Sequence, residues 1–280
     1  MATTSPFLPK PFFVRLVLLL PLLSACSDNS HQSLLKIIAQ MVQYTKTSAR
    51  IAVGATGSVT ASCRRGEQML SGGYGVDAFE SANIMSSYPS GPNSWTVSTL
   101  NNASPSWIVL SASVNCLRAN VSVGAQIVHD TVNISHGAAQ SATAQCPPGA
   151  AVTGGGYKSA GFVNASMPQA SGWNVVATGR SKAKIFALCA TKHVRAAPST
   201  SAPFTIPHCF GCYGSGNAKC VTGQLLTGGG FSITDGNNRF LANGAAPDFS
   251  SWSVVAAGDG YASTIPYPSS WATCVLLSQF

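Results

Sequence analysis

The sequence predicts an all-β domain with threefold internal repetition, and three observations carry that expectation. A cysteine–glycine–aromatic segment recurs three times without gaps, apolar residues within each copy alternate, and only 9% of residues are charged. Globular domains ordinarily carry about a quarter charged residues. Gly, Ser, Thr, Ala and Asn fill the space instead, which is the composition of a turn-rich β domain rather than a helical one.

The recurring segments are Cys63 to Tyr74 (CRRGEQMLSGGY), Cys146 to Tyr157 (CPPGAAVTGGGY) and Cys220 to Phe231 (CVTGQLLTGGGF). Each has a glycine three positions after the cysteine (Gly66, Gly149, Gly223), a Gly-Gly pair, and then an aromatic. The match continues through an Asn (Asn83, Asn164, Asn243) and a Pro (Pro89, Pro168, Pro247) to a Trp-x-Val (Trp95, Trp173, Trp252). Each copy closes on an apolar stretch with a second cysteine: Cys116, Cys189 and Cys274. Internal repetition of this length marks a structural unit that recurs. The units run about 58–116, 141–189 and 217–274.

Within a unit the first strand places Val59, Ala61 and Cys63 on one side, and Ala142, Ala144 and Cys146 repeat this in copy two. In the closing strand Leu110, Ala112, Val114 and Cys116 share a face, as do Ile185, Ala187 and Cys189. A period of two is the signature of a half-buried strand. The Gly-Gly pair inside a strand pattern marks a bulge or the close approach of another chain. Trp-x-Val reads as a further strand. Four strands per unit predict twelve in all, and a β-prism with one four-stranded sheet per side fits that count. A β-trefoil and three tandem small β-sandwiches are the alternatives. Leu34 to Tyr44 (LLKIIAQMVQY) reads either as an added strand or as a short helix.

The N-terminal stretch has the order of a secretory signal peptide: Lys10 and Arg15, a short apolar run from Leu16 to Leu23, then small residues. The run falls well short of the roughly 20 apolar residues a membrane-spanning helix needs. Leu23-Ser24-Ala25-Cys26 resembles the lipobox of bacterial lipoproteins. That resemblance implies cleavage before Cys26, a diacylglycerol on its sulfur, and a membrane partner through the lipid. The expected organisation is therefore a signal peptide over 1–25, a lipidated N-terminus and tether over 26–48, and a three-repeat domain over 49–280. Lys10 and Arg15 leave with the leader, which lowers the formal charge from +8 by two to +6.

The repeat itself, clearest from Cys146 to Tyr157, is similar to one found in uncharacterised secreted bacterial proteins. A fainter likeness, in cysteine–glycine spacing and threefold layout, is to the vitelline-membrane outer-layer type of β-prism. Copy one departs from the first pattern, with Arg64 for Pro and Ser71 for the first Gly. Neither resemblance implies a catalytic activity.

Nine cysteines leave one odd thiol in an oxidising compartment. Assigning Cys26 to the lipid leaves eight. Six form the repeated pairs Cys63–Cys116, Cys146–Cys189 and Cys220–Cys274, each closing a loop that in the chain-entropy model is worth about 4 kcal/mol. The last two, Cys209 and Cys212, lie beside His208 in an insertion between units two and three. The favoured reading is a loop-stapling disulfide. A redox-active dithiol or half a metal site are the alternatives, because a neighbouring histidine lowers a thiol pKa and Cys-x-x-Cys supplies two zinc ligands.

No catalytic or metal-ligating constellation recurs with the repeat, and no cofactor is implied. The acidic residues do not sit at matching repeat positions, and His129-Asp130 has no nucleophile elbow to serve. No Lys/Arg block is dense enough for a nucleic-acid surface. The recurrent aromatics Tyr74, Tyr157, Phe231, Trp95, Trp173 and Trp252 would be glycan platforms if exposed and core residues if buried, the second being the commoner fate. The functional expectation is a membrane-anchored, non-catalytic module that binds a carbohydrate or cell-wall polymer. A structural envelope protein, or a thiol–disulfide protein using Cys209 and Cys212, are the alternatives.

Overall fold

The computed structural model describes residues 39–77, 82–102, 107–134, 139–159, 161–179, 182–207, 212–233, 239–257 and 268–278. The leader, Cys26, His208 and Cys209 lie outside the described residues. Every regular element among them is a strand.

Unit one comprises β1 (Ala39–Thr47), β2 (Thr56–Ser62), β3 (Gln68–Val76), β4 (Ala82–Gly91), β5 (Ser94–Asn101) and β6 (Leu110–Ala119). Unit two repeats the order as β7 (Ala125–Asn133), β8 (Gln140–Gln145), β9 (Ala151–Ser159), β10 (Phe162–Gln169), β11 (Gly172–Thr178) and β12 (Lys182–Ala190). Unit three has a divided lead strand, β13 (Val194–Ala196) and β14 (Thr200–Pro203). It continues as β15 (Tyr213–Ala218), β16 (Leu225–Ser232), β17 (Arg239–Ala245), β18 (Trp252–Ala257) and β19 (Ser269–Leu277).

The expected four strands per unit are thus six strand positions. The sequence pattern omits the lead strand and the fourth. The lead strand sits outside the aligned copies, and a bulge interrupts alternation in the fourth at Met85, Asn164 and Leu241. The segment read as strand or helix is strand from Ala39, so the folded domain begins within the expected 26–48 tether. β1 is hydrogen-bonded along its whole length to β6.

The strands form three antiparallel sheets. The first is β1-β6-β3-β17-β18-β15, the second β2-β5-β4-β9-β12-β7, and the third β13-β19-β16-β10-β11-β8 with β14 also on β19. Each sheet takes its lead, sixth and third strands from one unit and its fourth, fifth and second strands from another. One four-stranded sheet per unit is therefore corrected, and tandem sandwiches closed on themselves are excluded. Each sheet's two halves meet at a seam of only two residue pairs: Asn243 with Tyr74, Ser87 with Tyr157, Ser166 with Phe231, each with one neighbour. Beyond the seam no described residue pairs with the fourth strand on that side. This is where Pro89 and Pro168 sit, and a proline there costs no ladder hydrogen bond.

The inward residues read from period two are inside. Leu110, Ala112, Val114 and Cys116, with Ile185, Ala187 and Cys189, have no exposed surface. One core joins all three sheets, and a smaller cluster of Leu70, Leu117, Val123 and Ala190 receives Ala39 and Met41 from β1. Disulfides join Cys63 to Cys116, Cys146 to Cys189 and Cys220 to Cys274. In each pair one cysteine lies one or two residues past the second strand of a unit and the other lies on its sixth. Those strands belong to different sheets, so each bond staples two sheets together. Three such bonds imply folding in an oxidising, extracytoplasmic compartment. Among the described residues no helix is long and apolar enough to cross a membrane.

Candidate functional site

The repeated motif resolves into a packing device. The glycine after each cysteine has φ of 86°, 79° and 89° at Gly66, Gly149 and Gly223. It sits third in a turn closed by amide-to-carbonyl bonds of 3.1, 3.0 and 3.1 Å, from Glu67 to Arg64, Ala150 to Pro147 and Gln224 to Val221. A positive φ at that position is the glycine requirement of a type II turn. Further on, the Trp ring of the same unit occupies the space where a Cβ would stand on Gly72, Gly155 and Gly229. The next glycine (Gly73, Gly156, Gly230) lies against the seam carbonyl of the neighbouring unit, from Asn243, Ser87 and Ser166. The first position brings Ser71, Gly154 and Gly228 together from the three units.

The tryptophans are anchored at both ends. Each indole N–H donates to the seam residue of its own unit: Trp95 to Ser87 Oγ at 3.0 Å, Trp173 to Ser166 Oγ at 2.9 Å, and Trp252 to Asn243 Oδ1 at 2.6 Å. Asn243 is therefore the counterpart of Ser87 and Ser166, not of Asn83 and Asn164 as the sequence alignment has it. Likewise Pro89 and Pro168 face Trp95 and Trp173, but Ala245 faces Trp252, and Pro247 belongs to the longer turn that follows.

All six recurrent aromatics are buried, which removes them as glycan platforms. Tyr74, Tyr157 and Phe231 converge with Ile84, Val163 and Phe240 around a cavity of about 30 Å³. That is room for a water molecule, and far below the roughly 300 Å³ of a small-molecule site. Burial pushes the Tyr74 and Tyr157 phenols above their ordinary pKa.

The other candidates are dispersed. His129 and Asp130 point to opposite sides of β7: His129 faces Phe186, whereas Asp130 is paired with Ile185 and accepts the Thr131 amide at 2.7 Å. Cys212 is disulfide-bonded. Its expected partner, Cys209, lies outside the described residues. Among these, no group of three or more His, Cys, Asp or Glu is placed to hold a metal. One buried carboxylate does stand out. Glu67 accepts from Arg118 Nη2 at 2.8 Å, Tyr44 Oη at 2.9 Å and the Arg64 amide at 3.1 Å. Burial alone would raise its pKa, but those hydrogen bonds and the Arg118 charge outweigh it and hold the carboxyl below 4.5. This cluster ties β1 to β3 and β6; units two and three have Ala150 and Gln224 at the position of Glu67.

The unequal part of the molecule is the outside of the sheets. On the second sheet Tyr88 stacks on Phe186 with ring centroids 5.2 Å apart. Lys158 Nζ lies 5.7 Å from the Tyr88 ring and Lys184 Nζ 5.2 Å from Phe186, with the exposed His129 at 6.2 Å from Phe186. Strand register identifies the equivalent positions elsewhere. Tyr88, Phe186, Lys158 and Lys184 become Met167, Trp271, Ser232 and Ser269 on the third sheet, and Gly244, Ser113, Gly75 and Ser111 on the first. Phe186 is buried beneath its neighbours, while Tyr88 is half-buried and Lys158 exposed. An aromatic surface edged by ammonium groups offers stacking and charge at one place. Sequence reasoning passed over these residues because it looked for what recurs; the available signal was where copies differ.

Neither a protein-family model nor a curated protein sequence matches the chain.

Proposed function

We propose that the chain is an extracytoplasmic, lipid-anchored, non-catalytic binding module that presents the outside of its second sheet to an acidic envelope glycan. The observation that carries this reading is the unequal dressing of three outer faces that share one backbone register. Core packing explains what the three have in common. It does not call for Tyr88, Lys158 and Lys184 on one face alone. Pyranose C–H groups stack on aromatic rings, and paired ammonium groups favour a uronate or phosphate substituent on the same sugar.

The reading includes an arrangement: three sheets as three sides of a prism. Its support is that neighbouring sheets meet along their edges, β1 beside β2, β7 beside β8, and β14 beside β15, with a disulfide at each such edge. The lipid anchor rests on the lipobox-like Leu23-Ser24-Ala25-Cys26.

The test is binding of the mature chain with Cys26→Ala to acidic and neutral polysaccharides side by side. The acidic polymers should bind more tightly, with Tyr88→Ala weakening them about 10-fold, the worth of one aromatic contact. No binding to any polymer leaves the structural-envelope reading in its place.

A further inference from the structure

Strand register carries the second sheet's outer face well beyond its aromatic pair. Two rows of outward residues cross the sheet from β2 to β7. In one, Ser58 faces Ser98, Ser98 faces Ser86, Ser86 faces Lys158, and Lys158 faces Lys184, with Thr131 at the far edge. In the other, Thr60 faces Thr96, Thr96 faces Tyr88, and Phe186 faces His129. Gly156, paired with Phe186 and packed against the Ser87 carbonyl, puts no side chain between the Tyr88 and Phe186 rings.

The other two sheets break the first row. Where the second sheet has Ser98 and Ser86, the third has Val176 and Ala165, and the first has Val255 and Ala242. Only the second sheet keeps a polar side chain at that level on every strand. We infer, resting on the acidic-glycan reading, that this face is a track for the internal stretch of a linear polysaccharide laid across the strands. Its acidic units alternate with neutral ones.

Charge fixes the alternation. Lysines stand on β9 and β12, whereas β2, β4 and β5 carry neither lysine nor arginine. A uniformly acidic chain would set carboxylates over that half with no cation to meet them. A neutral sugar meets hydroxyls there instead.

Those hydroxyls are already oriented. Thr60 and Thr96 hydroxyls lie 2.7 Å apart, Thr96 donates to Ser90 at 2.7 Å, and Ser98 and Ser86 are 2.5 Å apart. A hydroxyl has one donor and two acceptor lone pairs, so a chain of this kind keeps acceptors for sugar O–H groups. Ser86 is buried and acts through Ser98, as a positioning residue. Spacing agrees. Neighbouring strands lie about 4.8 Å apart, so six span about 24 Å. That step is close to the length of one pyranose unit along an extended chain, and successive sugars meet successive strands.

The experiment is titration calorimetry of the mature chain, Cys26→Ala, with two series of oligosaccharides of increasing length. Hyaluronan alternates N-acetylglucosamine with glucuronate; polygalacturonate is acidic throughout. Hyaluronan affinity should climb past the disaccharide, level off once the chain crosses the face, and exceed that of polygalacturonate of matched length. Ser86→Ala with Ser98→Val installs the pair that the other sheets carry. It should weaken the longest hyaluronan about 10-fold and the disaccharide by less than about twofold. Lys158→Ala should weaken every length alike, by at most about fivefold. Near-ultraviolet circular dichroism reports that each variant is folded. The track is overturned by a disaccharide that binds as tightly as the longest oligomer, by tighter polygalacturonate, or by a double variant that treats all lengths equally. Each of these leaves the acidic-glycan reading standing. No binding of either series also overturns the track, and the comparison of acidic with neutral polysaccharides then decides whether the acidic-glycan reading falls with it.

Discussion

The first and second sheets share a backbone register, yet their outer faces have almost nothing in common. One carries Tyr88, Phe186, Lys158 and Lys184; the other has Gly244, Ser113, Gly75 and Ser111 in their places. Their inner faces are nearly copies, each with a fully buried Trp whose ring covers a glycine. Interior positions are held alike because close packing tolerates little change in volume or shape. Exterior positions are released from that constraint, so a difference there records something other than folding. In a repeat protein, recurrence reports on the core and departure from it reports on use.

The largest effect expected from this contrast lies inside. Trp95→Ala, Trp173→Ala and Trp252→Ala should each cost about 3–5 kcal/mol, and the three should agree closely. Urea midpoints measure this. Tyr88→Ala should stay near the ~0.5 kcal/mol of a surface change, and a cost equal to that of tryptophan would return Tyr88 to the core.

Next are the staples. Replacing Cys146 and Cys189 by alanine should destabilise by about 2–5 kcal/mol without altering glycan selectivity, because the bond joins sheets and touches no outer-face residue. Glycines then divide the same way. Gly155→Ala thrusts a methyl into the Trp173 ring and should cost about 1–3 kcal/mol. Gly244→Ala meets nothing closer than Ser113 Oγ at 3.7 Å and should be neutral or gain about 0.5 kcal/mol.

The Glu67 cluster gives a pH signature peculiar to unit one. Its folded pKa is depressed, so its contribution is complete above the ordinary carboxylate value of 4.5 and is lost as pH falls through the lower folded value. Stability measured from pH 7 downward should stay level to about 5 and then fall, with a shallower fall in Glu67→Gln. An unchanged acid limb in that variant removes Glu67 from the account. The smallest energetic change makes the sharpest comparison. Gly244→Tyr with Ser113→Phe, Gly75→Lys and Ser111→Lys rebuilds the second sheet's surface on the first, and isothermal titration should then count a second glycan site. A stoichiometry still at one shows that the four equivalent positions do not suffice.

Much of the fold was legible because it is local. Alternation placed Leu110 to Cys116 and Ile185 to Cys189 inside, and repeat spacing paired the cysteines that the structure bonds. β1 was half legible: its AQMVQYTKT resembles the AQIVHDTVN of β7, but its outward positions carry polar residues that blur the periodicity. The alignment failed at Asn243 and Pro247, where unit three has a longer turn before Trp252. The outer-face site was not legible at all. Tyr88 lies 98 positions from Phe186, and nothing local links the two.

By itself, the sequence determined the β character, the threefold repetition, the inward faces and the covalent staples, since each follows from neighbours along the chain or from spacing. The tertiary structure alone decided that every sheet is shared between two units, because that rests on seams of two residue pairs made between distant segments. It alone decided, too, that the recurrent aromatics are core, by laying each tryptophan over a glycine of its own unit and each seam carbonyl over a glycine of another.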